Sequence, residues 1–240
     1  MKLGRRFPTR AKLKLSKYLG HALPMPPSAC DWSLAMTEPW GMMLNDTEGD
    51  CTCAGLGHAV QTVTANTDGL ITPTDDMIQA MYEQSGFTPG DDSTDQGWTE
   101  VDAMKYMVTN GLAGVKMDAF ADIDHSSILA VKQCIYLFGG CYIGVVITAQ
   151  DMDDFGNGKP WTSTDMSNID GGHALFCPKY DETSIYAVTW GALQQASWQW
   201  VRSKCDEAHA CLFTPWVRNS VNTDPDGFDF QQLKDDLAKL

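Results

Sequence analysis

The stretch LNDTEGDCTCAGLGHAV, residues 44–60, carries the first decision about this chain. It puts Asn45 six residues before Cys51, sets Cys53 two residues beyond it, and continues through Ala54, Gly55, Gly57 and Ala59, small residues suited to a closely packed helix from Cys51 to about Val63. Two cysteines so placed suggest a metal clip, half of a disulfide framework, or the seat of a nucleophile. A zinc clip requires a second ligand pair at comparable spacing. Cys205 and Cys211, with His209 between them, stand too far apart to supply it, so no metal and no cofactor is expected. The start MKLGRRFPTRAKLKLSKYLG lacks the apolar run of a secretory signal, and eight cysteines without one point to free thiols in a reducing compartment. A thiol at the first turn of a helix meets the positive end of the macrodipole, which favours the thiolate. It then needs a histidine from elsewhere in the fold and a donor aimed at the developing oxyanion.

The length of 240 residues allows one large domain or two lobes sharing a core. Residues 1–20 hold seven of the 17 basic residues and no acid, so all 31 acidic residues lie beyond them. An acidic body makes nucleic acid an unlikely partner, whereas the basic arm, interleaved with Leu3, Phe7, Leu13, Leu15, Tyr18 and Leu19, suits an acidic or apolar groove. No apolar run reaches the roughly 20 residues of a membrane span, so no membrane partner is expected. The boundaries read as residues 1–30 for the arm and its Pro-rich leader, 31–220 for a main domain, and 221–240 for a tail with a short helix. Helices are expected from Pro73 through Tyr82, with Thr72 or Thr74 as cap, over TEVDAMKYMVTNG, and over SSILAVKQCIYLFGG, with Ser126 or Ser127 as cap. CYIGVVIT, HALFCPKYD, SIYAVTWG and HACLFTPW then read as antiparallel strands. DMDDFGNGKPWT begins like a calcium loop but has Phe155 and Thr162 where ligands belong, which leaves a solvated loop. Helices followed by strands predict an α+β protein, a helical lobe packed on an antiparallel β lobe.

His173, in GGHALFCPKYD, opens a strand behind two glycines and is the best partner for Cys51. His58 reads as structural, since Cys51 sits at one end of its helix. Taken in order, Asn45, Cys51, GGHA with His173, and AVTWGALQQASW with Trp190, Gly191 and Trp198 resemble the papain-like cysteine peptidases over roughly residues 40–215. That resemblance implies a papain-like fold with its cleft between the lobes, and hydrolysis of peptide or isopeptide bonds in a peptide or protein substrate. It makes Cys51 the nucleophile ahead of Cys53, His173 the base and then the acid, Asn45 with the Cys51 N–H the oxyanion donors, and Trp190 a shield. Aligning the tryptophans puts Val188 where the family has the Asn that orients the histidine, leaving the Thr189 hydroxyl as the weak substitute. NDxxGDC, GGHA and VTWG together look like a papain-fold family of tailed bacteriophages and prophages, implying a location in a virion or the host cytoplasm. The alternative is a structural virion component, weakly active or inactive, that joins a homo-oligomer or other phage proteins through residues 1–20. A transferase of the transglutaminase type also stays open.

Overall fold

Fourteen consecutive residues, Cys51 to Thr64, are buried in α1 (Cys51–Ala65), so this helix is enclosed on every side rather than amphipathic. The computed structural model describes residues 1–7, 13–18 and 23–219. Small residues let α1 be enclosed. A Cβ on Gly57 would lie 2.3 Å from Met43 Sδ, so glycine admits the loop that carries Asn45. Beside α1 lie α2 (Asp75–Tyr82) and α3 (Glu100–Thr109), whose first turns are capped by the hydroxyls of Thr74 and Thr99. No helix among the described residues is long and apolar enough to cross a membrane.

The second half supplies most of one antiparallel sheet. Its strands are β1 (Cys30–Asp31), β2 (Met117–Asp122), β3 (Cys141–Thr148), β4 (Ile169–Tyr180), β5 (Ser184–Thr189), β6 (Ala192–Ser197) and β7 (Cys205–Phe213), in the order β2-β7-β3-β4-β5-β6, with β1 paired to β4. Alternation along the strands splits the core in two. Tyr142, Phe176 and Phe213 face the helical side with Leu56, Met81 and Met104. Ile143, Leu175 and Ile185 face the other side, where α4 (Ile128–Phe138) and α6 (Trp198–Lys204) contribute Ile135 and Val201. The chain is thus α+β, a helical layer on an antiparallel sheet, as the order of its segments predicts. α7 (Thr214–Asn219) follows β7, and Trp216 donates to Leu137 O at 2.8 Å.

One expectation fails. The acidic run read as a solvated loop contains α5 (Ala149–Gly156), started by a capping box between Thr148 and Asp151. Asp151 is buried. Its carboxylate accepts from Lys204 Nζ at 2.6 Å, Trp200 Nε1 at 2.7 Å and the Thr148 hydroxyl at 2.6 Å. The apparent calcium ligand is the centre of a satisfied internal network. β2, β6 and α6 carry weak periodicity and were not expected as elements. The tail helix expected at 229–240 lies outside the described residues.

Candidate active site

Cys51 is the first residue of α1, and the backbone N–H groups of Ala174 and Gly4 are directed at its sulfur. Ala174 packs in the same core as Cys51, and His173 precedes it on β4, the strand against which α1 lies. No hydrogen bond joins the Cys51 sulfur to the His173 ring among the described residues. His173 Nε2 lies 2.7 Å from Thr189 Oγ1, and its ring stacks on Trp190 with centroids 4.4 Å apart. His173 Nδ1 is buried and has no hydrogen-bond partner among the described residues. With Nε2–H donating to Thr189, Nδ1 keeps the lone pair that can accept a proton.

The residue at the orienting position is decided by strand alternation. Ala187 faces the same core as Leu175 and Ile185, and Thr189, two residues on, shares that face. Val188 pairs in register with Phe176 and lies on the other face, away from the imidazole. Trp190 follows because β5 and β6 join through two residues, Trp190 and Gly191, with φ of +44° and +72°. Such a turn matches the twist of the strands, and it holds the Trp190 ring over His173.

Asn45 is buried in the loop before α1, where Met43 and Leu44 also have positive φ. Its Nδ2 donates to Asp50 Oδ1 at 3.0 Å and reaches Lys2 O at 3.4 Å. It already faces a carbonyl oxygen inside the cleft. His58 is elsewhere, with Nε2 2.8 Å from Gly41 O, and Cys53 is fully buried in the helical core. All eight cysteines are free thiols.

The carbonyl at Asn45 belongs to the chain's own beginning. Residues 1–7 run through the cleft. Lys2 N donates to Asn45 O at 2.9 Å, and Trp190 Nε1 reaches Lys2 O at 3.3 Å. Trp98 N donates to Gly4 O at 2.9 Å, Arg6 N to Trp98 O at 2.8 Å, and Arg5 N to Gly172 O at 3.1 Å. Gly4 therefore shows Cys51 an N–H, while its carbonyl is turned away to Trp98. There is no room for a side chain there, because a Cβ on Gly4 would lie 1.7 Å from Gly49 O. The expected basic arm is thus seated, in its first seven residues, on its own fold.

This covering sets the charge state. Burial pushes the Cys51 thiol up to about 12, opposed by the N–H groups of Ala174 and Gly4. Burial, with the positive charge of Arg5, lowers His173 to about 3. Both groups are neutral in the closed cleft.

A cluster that the sequence did not reveal lies beside the cleft. Glu100, Glu207 and His209 have ligand atoms within 4.8 Å of one another, the donor set of a cation site. Burial alone would lower His209, but Asp122, Glu100 and Glu207 outweigh it and hold the imidazole protonated. Arg5 Nη1 lies 2.6 Å from Glu207 Oε1. Two protein cations therefore already face these carboxylates. Arg5 entered the sequence reading only as one of seven charges, and no local pattern links residue 5 to residues 100 and 207.

No family pattern matches the chain, and no curated protein matches it in sequence. Solved structures do. Xylellain, a cysteine protease from Xylella fastidiosa, superposes with a TM-score of 0.65 at 14% identity over 88% of this chain and 95% of that one. The fold is papain-like. The Carica candamarcensis cysteine protease CMS1MS2 gives 0.57 at 16% identity over 78% and 98%, respectively. Procathepsin L 3 of the Tenebrio molitor larval midgut gives 0.59 at 12% identity over 81% and 72%. In this papain-like frame α1, which Cys51 opens, packs against β4, which carries His173.

Proposed function

We propose that the chain is a papain-like cysteine hydrolase of peptide or isopeptide bonds, held closed in this conformation by residues 1–7. The observation that carries the reading is the His173 ring, stacked on Trp190 and bonded through Nε2 to Thr189, on the strand whose next N–H meets the Cys51 sulfur. In an open cleft His173 Nδ1 takes the Cys51 proton, and the thiolate attacks the substrate carbonyl carbon. Asn45 Nδ2 and the Cys51 N–H receive the oxyanion. His173 returns the proton to the leaving amine, and water then releases the acyl group by the same base. Thr189 is the positioning residue for the imidazole, and Trp190 excludes water from one of its faces.

Gly4 turns its carbonyl toward Trp98, so its own peptide bond is not presented to Cys51. The test is hydrolysis of casein by the full chain carrying Gly4→Ala, whose new methyl group cannot be seated against Gly49. Activity absent from the native chain should appear, and should vanish when Cys51→Ala is added. An opened chain that cleaves nothing, or one that still cleaves without Cys51, would end this reading.

On its motif resemblance we assign the hydrolase to a phage or virion setting. A purely structural virion role through residues 1–20 would need residues 1–7 outside the cleft and free for a partner.

A further inference from the structure

We propose that the socket holding the Arg5 guanidinium is a substrate subsite selecting an arginine side chain next to the residue whose carbonyl Cys51 attacks. This rests on the cleft being a hydrolase cleft, as argued above. Arg5 Nη1 lies 2.6 Å from Glu207 Oε1, and Nη2 lies 2.6 and 2.8 Å from the two oxygens of Asp206. Nη2 also reaches Val145 O at 3.3 Å, and the side chain is wholly buried. Four acceptor oxygens from three residues meet the two Nη groups, while Nε is buried without a partner among the described residues. A planar fork engages such a set better than the point charge of an ammonium. The space is kept open by Gly144, where a Cβ would lie 2.5 Å from Nη1.

The socket is not explained as ordinary core. Glu100 is wholly buried beside it, its Oε1 has no hydrogen-bond partner, and its charge acts on Arg5. If Arg5 withdraws, Glu100 and Glu207 keep only His209 as a close cation among the described residues. Buried carboxylates in that state demand a cation. Chain direction supplies the position. The arm sets the Gly4 N–H at Cys51 and the Gly4 carbonyl at Trp98. A strand laid the other way exchanges these, turning a carbonyl to the sulfur and keeping its neighbour's side chain over the socket. The substrate order is then arginine, a small residue, and the bond that breaks.

The experiment uses the full chain carrying Gly4→Ala and four probes, acetyl-X-glycyl-aminocoumarin with X as arginine, citrulline, lysine or norleucine. Binding is measured calorimetrically with Cys51→Ala added, and hydrolysis with Cys51 intact. The arginine probe should bind about 10- to 100-fold more tightly than its uncharged isostere citrulline. Asp206→Asn, at a partly exposed carboxylate, should shrink that ratio, and Glu207→Gln should shrink it further. Equal binding of arginine and citrulline, or no binding of the arginine probe up to about 1 mM, overturns the proposal. Selective binding without hydrolysis of any probe would uphold the socket and reject the hydrolase. Hydrolysis of all four alike would do the reverse, leaving the socket as a seat for residues 1–7 alone.

Discussion

Thr189 meets His173 through a hydroxyl, where a carboxamide stands in the family this chain resembles. A hydroxyl can accept the Nε2–H and fix the tautomer, but it brings a smaller dipole to a developing imidazolium. Thr189→Val keeps the shape and removes the acceptor. It should lower kcat of the opened chain about tenfold with little change in KM, and Thr189→Ser should restore much of the loss. On the proposed mechanism Asn45→Ala should cost more, about 100-fold in kcat, because its amide would act on charge present only in the transition state. The candidate residues themselves were legible. Cys51, His173 and Asn45 could be picked out by order and spacing, and the structure places Cys51 at the head of α1, Asn45 buried in the loop before it, and His173 on the strand that packs against α1. The orienting residue was not settled by alignment, since Val188 and Thr189 differ by one position. Knowing that Leu175 and Ala187 share a core face with Ile185 settles it, and that is a tertiary fact.

Elements read well wherever a cap or an uninterrupted apolar run announced them, as at Thr74, Thr99 and Ser127. They read badly where polar side chains turn inward. Asp151 looks like a solvated acid in sequence because its partners Lys204 and Trp200 are some 50 residues away in the chain. Threonine followed three residues later by aspartate was the available sign of α5. Removing one member of this buried pair leaves the other uncompensated, so Lys204→Met should destabilise the fold by about 3–5 kcal/mol in denaturant melts. The β5–β6 turn makes a second demand. Gly191 at φ +72° fills a left-handed position, and Gly191→Val there should cost about 1–2 kcal/mol. Because that turn seats Trp190, the substitution should also reduce activity of the opened chain beyond its effect on stability.

At the scale of the molecule, the fold was legible from helices followed by strands, whereas the closed cleft was not. Composition marked residues 1–20 as a basic arm seeking an acidic groove, and nothing local said that the groove of its first residues is its own. Closure has a pH dependence of definite sign. The covered cleft holds His173 near 3, far below its ordinary 6.5, so the closed state binds fewer protons than an open one between those values. Glu100 stands near 7 through burial and Glu207, and Arg5 pulls it down, so losing Arg5 also adds proton affinity. Falling pH from about 7 toward 4 therefore favours release. The central claim is that Cys51 is a nucleophile capped by residues 1–7, and the rate of iodoacetamide labelling at Cys51, read by peptide mass, tests it most directly. Cys30, the one cysteine not fully buried, serves as the internal control. The native chain at pH 7 should label slowly at Cys51, and its rate should rise on mild acidification, against the trend of a simple thiol. The chain carrying Gly4→Ala should label at Cys51 first, about 100-fold faster than the native chain at pH 7. Equal rates in the two chains, or Cys30 labelling ahead of Cys51 in the opened one, would contradict the account.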